Sequence, residues 1–134
     1  MDQATAQGLA DGYVAYWTTG DKSVLRLFSP NFYDIVSRTR GLVVFDVVGA
    51  ALDESFADRS AELHLVAQNE NRVMVWYTAH GRHIGNAFPR LKGLPVKGNQ
   101  VAWPQVHIFR FADELVVEHW AVRDDKAMPD AVTA

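Results

Sequence analysis

The chain has 134 residues, a formal net charge of −3 and no cysteine, which suits a single domain spanning residues 1–134 and excludes disulfides, thiolate nucleophiles and cysteine-ligated metals. Without a dense basic stripe, nucleic acid is not an expected partner. No apolar run approaches the roughly 18 residues of a membrane helix and no signal peptide opens the chain, so no membrane association and a cytoplasmic location are expected.

Leu9, Tyr13, Val14, Tyr16 and Trp17 recur at helical spacing, which predicts a helix over residues 3–19 with Gly20 as its stop. These aromatics read as core. Asp21 is a candidate N-cap for a short second helix carrying Val24, Leu25 and Phe28, which ends before Pro30. An extended piece follows over residues 30–37. Within it Asp34 stands among Phe32, Tyr33, Ile35 and Val36, either capping a turn or facing a pocket as a desolvated carboxylate. Residues 41–57 could hold a strand at Leu42 to Phe45, but Phe45, Val48, Leu52 and Phe56 form a helical stripe and the length favours a helix.

From Ser60 the pattern changes to alternation, with Ala61, Leu63, Leu65 and Ala67 on one side. Asn69 to Asn71 is a turn, and residues 72–85 read as a long strand. Pro89, Gly93, Pro95 and Gly98 mark residues 86–100 as a loop able to shape a binding site. Val101 restarts the sheet, and the short tail after Asp125 is expected to fray.

The last two strands carry the chemistry. Trp103-Pro-Gln-Val-His-Ile-Phe-Arg-Phe and Leu115-Val-Val-Glu-His-Trp-Ala-Val flank a polar break and predict a hairpin. With Ala112-Asp113-Glu114 as the turn, Phe109 faces Val117, His107 faces His119 and Gln105 faces Ala121. Opposed side chains lie roughly 4.5–5.5 Å apart, close enough for two imidazoles to share a proton. On the other face, Val106 would lie opposite Trp120 and Ile108 opposite Glu118. Helices followed by an antiparallel sheet give an α+β class, and a curved sheet wrapped on a helical layer leaves a cone open at one end, the expected place for a small-molecule pocket.

Gly81-Arg-His-Ile-Gly85, Gly93-Leu-Pro95, Gln105-Val-His-Ile-Phe-Arg110 and Val117-Glu-His-Trp120 resemble the SnoaL-like polyketide cyclases and related ester cyclases of the nuclear transport factor 2-like superfamily. The resemblance runs from about Leu9 to Asp125. It implies a cone of about three N-terminal helices on a curved antiparallel sheet, homodimers packed through the sheet face, and neither metal nor organic cofactor. It also places Gln105 and His107 on the family's pocket glutamine and histidine, and Asp34 on a pocket asparagine. The family's catalytic aspartate aligns with Ala121, whose methyl group moves no protons.

The expected acid/base centre is then His107 with Asp34, because an imidazole near pH 6.5 exchanges protons at neutral pH. Gln105 can donate to a developing enolate or alkoxide, and His119 can orient His107. Phe109 lines the same face. His83 and Arg82 are assigned to the pocket mouth, where the arginine would pair with a substrate carboxylate. Two imidazoles and a carboxylate also match an iron or zinc set; no metal is expected from the resemblance. His64 and His80 read as surface residues. Three functions stay open. The first is a cofactor-independent cyclase, isomerase or hydrolase acting on a small, largely apolar carbonyl compound. The second is a non-catalytic binder of a hydrophobic metabolite, and the third is a structural dimerisation domain whose own side chains fill the cone.

Overall fold

The computed structural model describes residues 1–134. Its elements are α1 (Gln3–Thr19), a 3₁₀ turn (Ser23–Leu27), β1 (Phe28–Asp34), β2 (Thr39–Arg40), α2 (Val43–Ser55), β3 (Phe56–Asn69), β4 (Arg72–His83), a second 3₁₀ turn (Pro89–Leu91), β5 (Gln100–Ala112), β6 (Leu115–Arg123) and α3 (Ala127–Thr133). No helix is long and apolar enough to cross a membrane.

Local chemistry sets the ends of α1. Asp2 accepts a hydrogen bond from the Thr5 backbone N–H at 2.8 Å, and Gly20, at φ 79°, donates its N–H to Tyr16 O. The face of α1 with Leu9, Tyr13, Tyr16 and Trp17 is buried, as the spacing predicts. Gly12 lets the 3₁₀ turn pack close, because a Cβ there would sit 2.8 Å from the Val24 side chain. Asp21 accepts from Ser23 N–H, but the segment after it forms only one tight turn before Phe28 enters the sheet.

The six strands form one sheet in the order β2-β1-β6-β5-β4-β3. It is mixed rather than purely antiparallel: β1 runs parallel to β6, with Tyr33 beside Glu118 and Asp34 beside His119. Nothing local announces this pairing, since it joins segments some 85 residues apart. Along β4 and β5 burial alternates strictly, and the inner row contains Val73, Val75, Tyr77, Trp103, Gln105, His107, Phe109 and Phe111. The α-helices do not all precede the sheet: α2 lies between β2 and β3, and α3 closes the chain.

Two expectations about the hairpin and the tail are corrected. The β5–β6 turn is a two-residue loop at Asp113 and Glu114, both at positive φ (51° and 67°), and Val117 is an extra residue between the pairs Arg110↔Glu118 and Phe111↔Val116. The register above the bulge is therefore His107↔Ala121, Gln105↔Arg123 and Phe109↔His119. That is two residues from the expected one, so side chains above the bulge keep their faces; below it the offset is one residue, and Val116 instead of Leu115 meets Phe111 on the inner face. On the outer face Val106 meets Val122, and Ile108 meets Trp120. The tail does not fray: Met128 and Val132 of α3 are buried, and Asn99 Nδ2 donates to Ala131 O at 3.1 Å.

Candidate active site

A cavity of about 310 Å³ lies between the helices and the inner sheet face. Val44, Val48 and Leu52 of α2 and Trp17 of α1 supply apolar wall, and Phe88 and Met128 close the far side. The polar groups that reach it are few: Tyr13, Asp34, Ser37, Tyr77, Gln105 and Arg123, with the Arg90–Asp125 ion pair at the solvent-exposed mouth. An apolar chamber with a few convergent polar groups is the usual form of a small-molecule site.

Four buried side chains form a continuous hydrogen-bonded chain whose two ends, Asp34 and Gln105, line the cavity. His119 Nδ1 meets Asp34 Oδ1 at 2.9 Å, His119 Nε2 meets His107 Nδ1 at 2.7 Å, and His107 Nε2 meets Gln105 Oε1 at 2.6 Å. Each link follows from the sheet. The parallel β1–β6 register sets Asp34 beside His119, and the shifted hairpin register makes His119 the diagonal neighbour of His107. Ser37 donates its hydroxyl to Asp34 Oδ2 at 2.6 Å and Val36 N–H donates to Oδ1 at 3.3 Å. At the other end Tyr77 donates to Gln105 Oε1 at 3.0 Å, while Gln105 Nε2 donates to Trp103 O at 3.3 Å.

Those two bonds orient the Gln105 amide, and the orientation fixes the protons along the chain. With Oε1 toward His107, Nε2 of that ring carries the hydrogen and Nδ1 accepts from His119 Nε2–H. One further proton must then lie between His119 Nδ1 and Asp34. Burial opposes charge on Asp34, but the hydrogen bonds from His119 and Ser37 outweigh it and hold the carboxyl below its ordinary 3.8. Burial pushes His119 below 6.5 against the hydrogen bond and charge of Asp34, and burial with the charges of His119 and Arg123 takes His107 well below that value. Burial thus disfavours the proton that the bonding pattern requires. The bonding pattern describes the protonated chain, and burial sets a low pH for it. Above that pH the carboxylate stays ionised, both rings are neutral, and Gln105 must turn its nitrogen toward His107.

The expected residues are only partly brought together. Asp34 and Gln105 line the cavity; His107 and His119 lie behind it and touch it only through them. Asp34 reaches His119, not His107. Phe109 is fully buried against Tyr13, at 5.0 Å between ring centroids, and does not reach the cavity. His83 is buried away from it with Nε2 on Asn86 Oδ1 at 2.7 Å, and Arg82 points outward to Asp58 at 3.1 Å. The imidazole nitrogens face each other, Asp34 and Gln105, and no three His, Cys, Asp or Glu side chains converge as a metal-ligand set.

Of the cavity residues that went unassigned in the sequence, Tyr13 and Arg123 matter most to the chemistry. Tyr13 was read as core, yet its ring lines the cavity; Tyr16 and Tyr77 donate to Phe45 O and Gln105, whereas Tyr13 has no protein acceptor. Burial pushes its phenol up to about 12, with Arg123 opposing and Asp34 adding to the rise, so it stays a neutral donor. Arg123 follows the recognised hairpin motif and carried no signal until the register put it opposite Gln105.

The sequence profile of the SnoaL-like polyketide cyclases matches residues 7–130, nearly the whole chain. The chain belongs to that family. No curated protein matches it. Among solved structures, TsrD from Streptomyces laurentii superposes with a TM-score of 0.81 at 22% identity, covering 98% of this chain and 97% of that one. AclR from Streptomyces galilaeus is 27% identical with a TM-score of 0.75 over 95% of this chain and 83% of its own. A SnoaL-like protein from Jannaschia sp. CCS1 has a TM-score of 0.78 at 23% identity, covering 100% and 98%. These neighbours establish the nuclear transport factor 2-like α+β fold for this SnoaL-like chain.

Proposed function

We propose that this SnoaL-like protein is a cofactor-independent acid/base enzyme that takes a proton from carbon beside a carbonyl on a small, largely apolar compound. One observation carries the reading. Asp34 is a buried carboxylate that faces an apolar cavity and is gripped from behind by His119. In this role Asp34 is the base, and the His119–His107–Gln105 chain orients it and holds the proton it gains. The Tyr13 O–H donates to the developing enolate oxygen, a charge worth stabilising in a site with little water. The proton then returns from Asp34 to another carbon or oxygen of the substrate, or the enolate attacks a second carbonyl and the resulting alkoxide takes it. Asp34 thereby takes over from the aspartate that the family resemblance aligns with Ala121, and His107 becomes a positioning residue.

Ala121 favours a second reading. It lies directly opposite His107 and leaves the imidazoles bonded only to their protein partners, as in a binder of hydrophobic metabolites. Deuterium uptake separates the two. Aryl β-keto esters incubated with the protein in D₂O and followed by proton NMR should exchange their α-hydrogens faster than in buffer. Binding of the same compounds without faster exchange would support the binder.

The reading includes a homodimer through the outer sheet face. Leu65, Trp76, Val106 and Val122 form one cross-strand apolar row, and Met74, Ile108 and Trp120 a second beside it. Trp76 is 45% exposed and Val122 73%. A contiguous face of this kind is costly in water, and a two-fold contact covers it with itself.

A further inference from the structure

Arg123 lines the cavity and makes no ion pair or hydrogen bond with the protein; its guanidinium lies over the Trp103 ring at 5.7 Å. The nearby carboxylates are committed elsewhere. Asp34 is held by His119 and Ser37, Asp125 by Arg90, and Asp124 by the backbone N–H groups that open α3. Trp103 adds a second observation: its indole N–H is buried and has no acceptor in the protein. The five guanidinium donors thus border the cavity with no acceptor in the protein.

We propose that Arg123 anchors a carboxylate on a ligand whose apolar body fills the cavity, so that the substrate class is an aromatic or fused-ring carboxylic acid. The proposal rests on the cavity being the ligand site, as above. It assigns to Arg123 the role expected of Arg82, which instead pairs with Asp58 at the surface. The planar fork of a guanidinium matches a carboxylate through two parallel hydrogen bonds, and cavity walls that exclude water strengthen them. The spacing suits such a ligand. Arg123 lies four positions along β6 from His119, the partner of Asp34, roughly 13 Å of strand. After the reach of the arginine side chain, a body of about two fused rings fits between anchor and base.

Calorimetric titration with 2-naphthoate and its neutral methyl ester tests the anchor. The wild type should bind naphthoate about 10–100-fold more tightly than the ester. Arg123→Gln should bring naphthoate down to the level of the ester and leave ester affinity in place. Arg123→Lys should keep part of the preference as a point charge, and Arg82→Gln should change neither probe. Equal wild-type affinities, or a preference that survives Arg123→Gln in a variant with native circular dichroism, would overturn the anchor. Binding of neither probe overturns both the anchor and the ligand-site reading. A preserved carboxylate preference with no α-hydrogen exchange leaves the anchor standing and removes only the catalytic role of Asp34.

Discussion

Burial holds His107 well below, and His119 below, the ordinary 6.5. As pH falls past 6.5, the unfolded chain takes up protons that these imidazoles refuse until lower pH. The unfolded state then binds more protons, and stability falls with pH by up to about 1.4 kcal/mol per unit for each resistant imidazole. Asp34 acts in the same direction lower down. Its native pKa is depressed, so its stabilisation is full above the ordinary 3.8 and is lost as pH falls through the native value. Calorimetric Tm values should be level above about pH 7 and decline below about 6.5, with a shallower decline in His107→Gln. A Tm unchanged down to about pH 5 in the wild type would contradict the neutral, buried pair. His107, Gln105 and His119 were legible as one cluster because two periodic strands with a polar break put them on the same face in any register of that parity. The partner of Asp34 was not legible, because it depends on a parallel pairing with no local signature. Tyr13 was hidden by a helical spacing shared by core and cavity residues alike.

Among the elements, the β5–β6 hairpin and α3 differ most from their expectations. Asp113 and Glu114 accept left-handed backbone conformations that Asn-Gly would announce more plainly, and the extra Val117 absorbs the resulting offset. Above the bulge a shift of two residues preserved the face of every side chain, so the cluster of Gln105, His107 and His119 survived an incorrect register, whereas below it Val116 took the inner place expected of Leu115. The tail after Asp125 looked polar because only Met128 and Val132 carry its apolar face, and seven residues give little helical periodicity to read. Tertiary packing supplies what periodicity lacked: Met128 is 1% exposed and borders the cavity. Met128→Ala should cost about 2–5 kcal/mol in urea denaturation, nearer the lower figure because one side already adjoins open volume. A loss under about 0.5 kcal/mol would mean that α3 is only loosely docked.

At the scale of the whole molecule, α+β class and the identity of most strands followed from alternation and from the loop-rich break before β5. Strand order did not, because β1 joins the sheet beside the last strand to be made. That closure puts the helix-covered face to work as a cavity and leaves the opposite face apolar across β3, β4, β5 and β6. Light scattering at micromolar concentration should give twice the chain mass, and Trp76→Glu should reduce it to one chain with little change in Tm. A monomeric wild type would refute the sheet-face dimer without touching the cavity.

The α-hydrogen exchange rate of an aryl β-keto ester in D₂O, compared between wild type and Asp34→Asn, tests Asp34 as the base. General-base loss should slow exchange about 10²–10⁴-fold with ligand affinity and native circular dichroism retained. His107→Gln, one step removed from the cavity, should slow it less. Exchange by Asp34→Asn at the wild-type rate would exclude Asp34 as the base and assign the proton transfer to another group.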